Sequence, residues 1–189
     1  MVRLVLASGN AGKLAELRTL VDNAWSGDIV GLKDLGLEGA EETGGSFDAN
    51  ARLKAEAACA ATGDWVLADD SGLCVDELGG LPGVDTAYYG GYDKLLAALR
   101  DVPPDRRQAH FVCVLALARP GKETLFFHAE CPGHIAANAR GEGGFGYDPV
   151  FVPDGENRTF AEMDQAEKAA LSHRGKALRA FADWLKANA

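Results

Sequence analysis

The chain has 189 residues, with 19 Lys and Arg against 28 Asp and Glu, a formal net charge of −9. One domain of ~100–200 residues accounts for that length, and 47% hydrophobic residues are enough for a buried core, so disorder is excluded. The negative charge argues against broad nucleic-acid or anionic-membrane binding, while leaving room for a local basic site.

No segment is apolar for long enough to span a bilayer: the longest apolar run, Phe111–Ala118, has eight residues, against the ~20 a membrane helix needs. The stretch Leu4–Ala7 is too short for the core of a signal peptide. Cys59, Cys74, Cys113 and Cys131 form no CxxC pair, so zinc-ribbon and thioredoxin readings fail and reduced, buried thiols are expected.

Val2–Ala7 predicts a buried strand closed by Ser8-Gly9-Asn10, followed by an amphipathic helix from Gly12 to Val21. Ile29–Leu35 is a weaker strand. Ser46 is the expected N-cap of a helix over Phe47–Ala61. Trp65–Ala68 and Leu73–Val75 read as two short strands separated by Asp69-Asp70-Ser71-Gly72. Tyr92–Arg100 is a short helix ended by Pro103-Pro104. His110–Ala118 is a central strand, Thr124–His128 its antiparallel neighbour and Gly133–Ala137 a further strand. Thr159-x-x-Glu162 has the pattern of a capping box that starts a helix, and a long helix runs from Leu171. The sum is a mixed α/β sheet with helices on its faces.

Ser8-Gly9-Asn10-Ala11-Gly12-Lys13 joins a strand to a helix and offers a helix N-terminus, small residues and a lysine, which suits phosphate. It is not a Walker A loop, because two residues rather than four separate its glycines and Leu14 follows the lysine. Asp69-Asp70 at a strand end suits a divalent cation that relieves the repulsion between carboxylates. Asn50 and Lys54 share one helix face. Gly143-Gly144-Phe145-Gly146-Tyr147-Asp148 presents two aromatics and an acid, apt for a flat base; a single copy rules out a calcium-binding nonapeptide array. Lys168, Ser172, His173, Arg174 and Lys176 place donors near the last helix. Taken alone, each has a plainer reading: a capped turn, a solvated Asp-Asp turn, a snorkelling lysine, a hairpin loop, a basic surface. His110, His128 and His134 are not spaced as a metal set.

Ser8-Gly9-Asn10-x-x-Lys13, Glu42-Thr43-Gly44, Phe47-x-x-Asn50-Ala51-x-x-Lys54-Ala55, Ala68-Asp69-Asp70-Ser71-Gly72-Leu73, Gly80-x-Pro82-Gly83, Gly143 to Asp148 with Pro149-x-Phe151, and Lys168-x-x-x-Ser172-His173-Arg174-Gly175 stand in that order. The ordered set resembles the non-canonical purine nucleoside triphosphate pyrophosphatases, the inosine/xanthosine triphosphatase (HAM1-like) family, over nearly the whole chain. The resemblance implies an elongated α/β fold with two lobes and a cleft, a single catalytic domain over 1–189, and a cytoplasmic homodimer without nucleic-acid or membrane partners. It implies Mg²⁺-dependent hydrolysis of ITP, dITP or XTP to the monophosphate and pyrophosphate, a house-cleaning reaction. It also implies roles. Asp70 is catalytic, and Glu42 and Asp70 hold the metal. Ser8, Gly9, Asn10, Ala11, Gly12, Lys13, Lys54 and Ser71 bind the substrate, with Phe145, Gly146, Tyr147, Asp148, Lys168, His173 and Arg174 at its base.

The chain departs from that pattern at Thr86-Ala87-Tyr88-Tyr89, where an arginine is common, in a short Gly90–Leu95 segment, and at Asp48, where Glu is common. Competing readings are a Maf-type pyrophosphatase for other triphosphates, a non-catalytic nucleotide sensor, and a dehydrogenase. A substrate panel separates the first, tight binding without turnover would mark the second, and the third lacks a dinucleotide fingerprint.

Overall fold

The computed structural model describes residues 3–8, 11–21 and 24–188. Six strands form one sheet: β1 (Leu4–Leu6), β2 (Ile29–Gly31), β3 (Trp65–Val75), β4 (Gln108–Ala118), β5 (Leu125–Ile135) and β6 (Phe151–Pro153), in the order β2-β1-β3-β4-β5-β6. β1 runs parallel to β2 and β3, and β5 antiparallel to β6. Among the described residues five helices accompany it: α1 (Ala11–Val21), α2 (Phe47–Thr62), α3 (Gly91–Ala98), α4 (Gln165–Leu171) and α5 (His173–Asn188). Among the described residues, no helix is long and apolar enough to cross a membrane. All four cysteines are free thiols, and burial pushes that of Cys131 up to about 11.

The chain forms two compact units, residues 1–70, 114–128 and 177–189, and residues 71–113 and 129–176. The first buries Leu4, Val5, Leu6, Leu17, Val66 and Leu67, with Phe181 and Leu185 of α5. The second is built on Phe111, Phe151 and Phe160, whose rings lie 4.6 to 6.1 Å apart, together with Leu73, Leu95 and Ile135. Aromatic pairs at such spacing add to the area they bury.

Local rules account for most of the elements. Ser46 caps α2, its hydroxyl accepting the Ala49 N–H at 3.2 Å, and Gly63 ends the helix in the left-handed region at φ 72°. Four expectations change. Ile29–Leu35 splits into β2 and a 3₁₀ turn over Leu32–Leu35. The two strands expected around Asp69–Gly72 are one strand, β3, because lysines neutralise carboxylates that would otherwise seek water. Thr124–His128 and most of Gly133–Ala137 are likewise one strand, β5. Gly133 lets that strand pass β6 closely, since a Cβ there would meet the Val152 carbonyl oxygen at 2.2 Å. Finally, Thr159-x-x-Glu162 starts only a 3₁₀ turn. Glu162 accepts the Thr159 N–H, and the Thr159 hydroxyl donates to the Arg140 carbonyl. A reciprocal cap by Asp164 and Glu167 opens α4.

Candidate active site

The first unit carries an ion-pair network. β3 delivers Asp69 and Asp70, which alternate across the strand, so each meets a different lysine. Lys13, in the first turn of α1, pairs with Asp69. Lys54, on α2, places Nζ 2.7 Å from Glu42 Oε1, 2.9 Å from Asp70 Oδ1 and 2.8 Å from the Asp69 carbonyl oxygen. Those three acceptors use all three ammonium hydrogens. Burial works against the Lys54 charge, but Glu42 and Asp70 outweigh it and hold its pKa above the ordinary value. Ser8 precedes α1, and Ser71 follows Asp70 on β3, half-buried. Gly12 lies in the first turn of α1, the positive end of the helix dipole, Ala11 opens that helix, and Gly9 and Asn10 lie outside the described residues.

In the ion pairs Lys13–Asp69, Lys54–Glu42 and Lys54–Asp70, formed among the described residues, two ammonium groups face three carboxylates, one negative charge in excess. Asp70 is where the balance is open. Its Oδ2 is buried without a hydrogen-bond partner among the described residues. Burial pushes its carboxyl above the ordinary value, Lys54 restrains that rise and Glu42 adds to it. An unpartnered buried carboxylate oxygen, with a second carboxylate held on the same lysine, is a hard-oxygen donor set suited to a divalent cation. Such an ion would turn the excess charge positive.

The second unit carries a different cluster. In the glycine-rich loop, Asp148 Oδ2 accepts the Phe145 N–H at 2.9 Å and a Lys168 ammonium hydrogen at 2.6 Å. The Phe145 ring stands 55% exposed, with Lys168 Nζ 4.7 Å and the Arg174 guanidinium carbon 5.8 Å from its centroid. Gly146 is exposed beside it at φ 61°. Tyr147 turns the other way: it is buried, its hydroxyl donates to the Thr86 carbonyl at 3.2 Å, and burial raises its pKa. Ser172 Oγ accepts the Gly175 N–H at 3.1 Å at the start of α5. His173 and Arg174 follow, both buried, and the imidazole lies flat on Phe111 with centroids 4.6 Å apart. An exposed aromatic face ringed by a carboxylate, an ammonium and a guanidinium suits a flat, polar-edged ring.

Gly144 makes this loop possible. It sits at φ 70°, and a Cβ there would meet Asp148 Oδ2 at 2.0 Å. Gly144→Ala is expected to cost at least about 1–2 kcal/mol of stability and to loosen Asp148 from the Phe145 N–H; thermal melts would show it, and an unchanged Tm would mean the loop tolerates another backbone path.

Three contributors hold positions the sequence reading did not give them. Asp69 is the partner of Lys13, Phe111 is the platform under His173, and Asn50, 2% exposed, accepts the Gly44 N–H at 2.7 Å. Asn50 had a visible signal, its i, i+4 spacing to Lys54. Phe111 had none, lying inside an apolar run.

The Ham1 family model matches residues 4–184. A dITP/XTP pyrophosphatase of Shigella flexneri is 48% identical over 98% of this chain and 99% of its own, and one of Erwinia tasmaniensis is 50% identical over 98% and 95%. A HAM1 protein of Coxiella burnetii superposes with a TM-score of 0.92 at 38% identity, covering 99% of this chain and all of the other.

Proposed function

Given that the chain belongs to the Ham1 family, we propose that it hydrolyses deaminated purine nucleoside triphosphates, ITP, dITP and XTP, to the monophosphate and pyrophosphate with Mg²⁺. Relatives named dITP/XTP pyrophosphatase support the substrate class. The observation that carries the chemistry is Asp70, a buried carboxylate with one oxygen on Lys54 and the other without a hydrogen-bond partner among the described residues.

On this reading the ion-pair network and the residues beside it on β3 and α1 handle phosphates. Lys13, Lys54, Ser71 and the Ser8–Lys13 loop bind the triphosphate, which carries about four negative charges and exchanges into the ammonium contacts now made by carboxylates. Glu42 and Asp70 would hold Mg²⁺. When bound, that ion neutralises phosphoryl oxygens and draws charge from the leaving pyrophosphate. Asp70 orients the water, whose oxygen bonds to the α-phosphorus as the bond to the bridging oxygen breaks. The water's proton passes to the Asp70 carboxylate. Before substrate arrives, Lys54 holds Asp70 and Glu42 together.

The second unit handles the base. The open face of Phe145 stacks on the purine, with Gly146 and Asp148 alongside, while Tyr147 supports the loop from within the core. Lys168, His173 and Arg174 supply donors, apt for the O6 that deaminated purines carry and adenine lacks. The proposal extends to a cytoplasmic homodimer without nucleic-acid or membrane partners. Four free thiols support the compartment, the acid excess argues against nucleic-acid and membrane partners, the resemblance alone supports the dimer, and light scattering on an eluting peak tests it.

The deciding experiment is pyrophosphate release from ITP, dITP, XTP, GTP, ATP and dTTP, each with and without Mg²⁺. Mg²⁺-dependent turnover of the deaminated purines with little of ATP is expected. Tight binding with no turnover would make the protein a sensor instead.

A further inference from the structure

The loop Glu42-Thr43-Gly44 is fastened to α2 at two points one helical turn apart. Lys54 takes the Glu42 carboxylate. Four residues earlier on the same face, Asn50 Oδ1 accepts the Gly44 N–H at 2.7 Å. The fit there is tight: a Cβ on Gly44 would meet Asn50 Oδ1 at 2.6 Å and Ala49 Cβ at 2.8 Å. Asn50 is 2% exposed, so a lost contact could not be replaced freely by water. Lys54 cannot set the loop alone. Its ammonium sits on a flexible four-carbon stem and is shared with β3, so it holds the Glu42 charge while leaving the backbone undetermined. The two carboxylates assigned to the cation come from a loop and a strand, and a hard cation needs both at once.

We propose that Asn50 is a positioning residue, pinning the backbone of the Glu42 loop to α2 so that Glu42 and Asp70 meet one divalent cation. The proposal rests on the metal reading above but makes a separate claim about how the site is assembled. A group that orients a ligand without touching the metal is worth roughly 10–100-fold in metal affinity.

The test uses Mn²⁺ titrated into the full-length protein without nucleotide, followed by the loss of free-ion spectroscopic signal, and amide exchange of the 41–46 segment. Asn50→Ala is expected to speed exchange at Gly44 at least about 10-fold and to raise the Mn²⁺ dissociation constant about 10-fold, with a cooperative melt retained. Asn50→Asp keeps an acceptor, so the Gly44 amide stays protected. Gly44→Ala reaches the same contact from the loop side and should weaken Mn²⁺ binding equally, which keeps the idea testable if Asn50→Ala fails to fold. Glu42→Gln is the reference. If it weakens Mn²⁺ while Asn50→Ala and Gly44→Ala do not, Asn50 is merely structural and the proposal falls. If Glu42→Gln and the wild type bind alike, the metal reading itself fails and takes the proposal with it. A lowered Tm with unchanged exchange and Mn²⁺ affinity overturns the positioning role alone.

Discussion

Asp70→Asn is expected to lower kcat for ITP by roughly 10³-fold or more in a protein that still melts cooperatively. The amide keeps the volume and can still accept from Lys54, which now reaches Asp70 Oδ1 at 2.9 Å. What disappears is the anionic oxygen available to a cation and the proton acceptor for water. The same substitution has a pH signature. Burial raises the Asp70 carboxyl above its ordinary 3.8, Lys54 offsets part of that, and Glu42 adds to it. A raised acid holds its proton more firmly in the folded state. That preference favours folding fully below 3.8 and is lost as pH rises through the raised folded value. Without metal, the wild type therefore carries a buried charge at neutral pH that the variant lacks. The Tm of Asp70→Asn should gain on that of the wild type as pH goes from about 4 to 7 in chelator. Mg²⁺ should reverse the order by stabilising the wild type alone. Equal stabilisation of both proteins by Mg²⁺ would remove Asp70 from the metal, and near-normal turnover would remove it from catalysis.

Arg174→Ala is expected to narrow the ratio of kcat/KM for ITP over ATP by about 5- to 150-fold, the equivalent of the ~1–3 kcal/mol lost when a buried donor faces no acceptor. The guanidinium is buried at the start of α5 and lies over the Phe145 ring, so its donors border the surface on which a purine would stack. Inosine offers O6 to such a donor. Adenosine offers an amino group, leaving donor against donor. Alanine removes the penalty for ATP and the gain for ITP together. Arg174→Lys separates charge from the planar fork: if charge alone matters it restores the ratio, and if geometry matters it does not. His173→Ala belongs in the same series, with a melt to register the packing lost from Phe111. A ratio unchanged in all three variants would place base reading elsewhere in the chain.

Patterned, local features of this protein were legible in its sequence. The α/β class followed from alternating periodicities, α2 from its serine cap, and the ordered motifs pointed to the family before any coordinate was known. These are decided by neighbours in the chain: a hydroxyl three residues from an amide, a glycine able to adopt φ 72°. Tertiary structure decided what depends on partners distant in sequence. Asp69-Asp70-Ser71-Gly72 has the composition of a turn and is the middle of a strand, because Lys13 and Lys54, 56 and 16 residues away from Asp69 and Asp70, neutralise the carboxylates there. Phe145 and Tyr147 were equivalent in sequence, and packing separated them: Tyr147 found the Thr86 carbonyl 61 residues away and went inside, leaving the Phe145 ring as the open face. Composition counted the charges of this acidic protein, but only folding paired them, and that pairing gives the candidate site an excess of negative charge suited to a divalent cation.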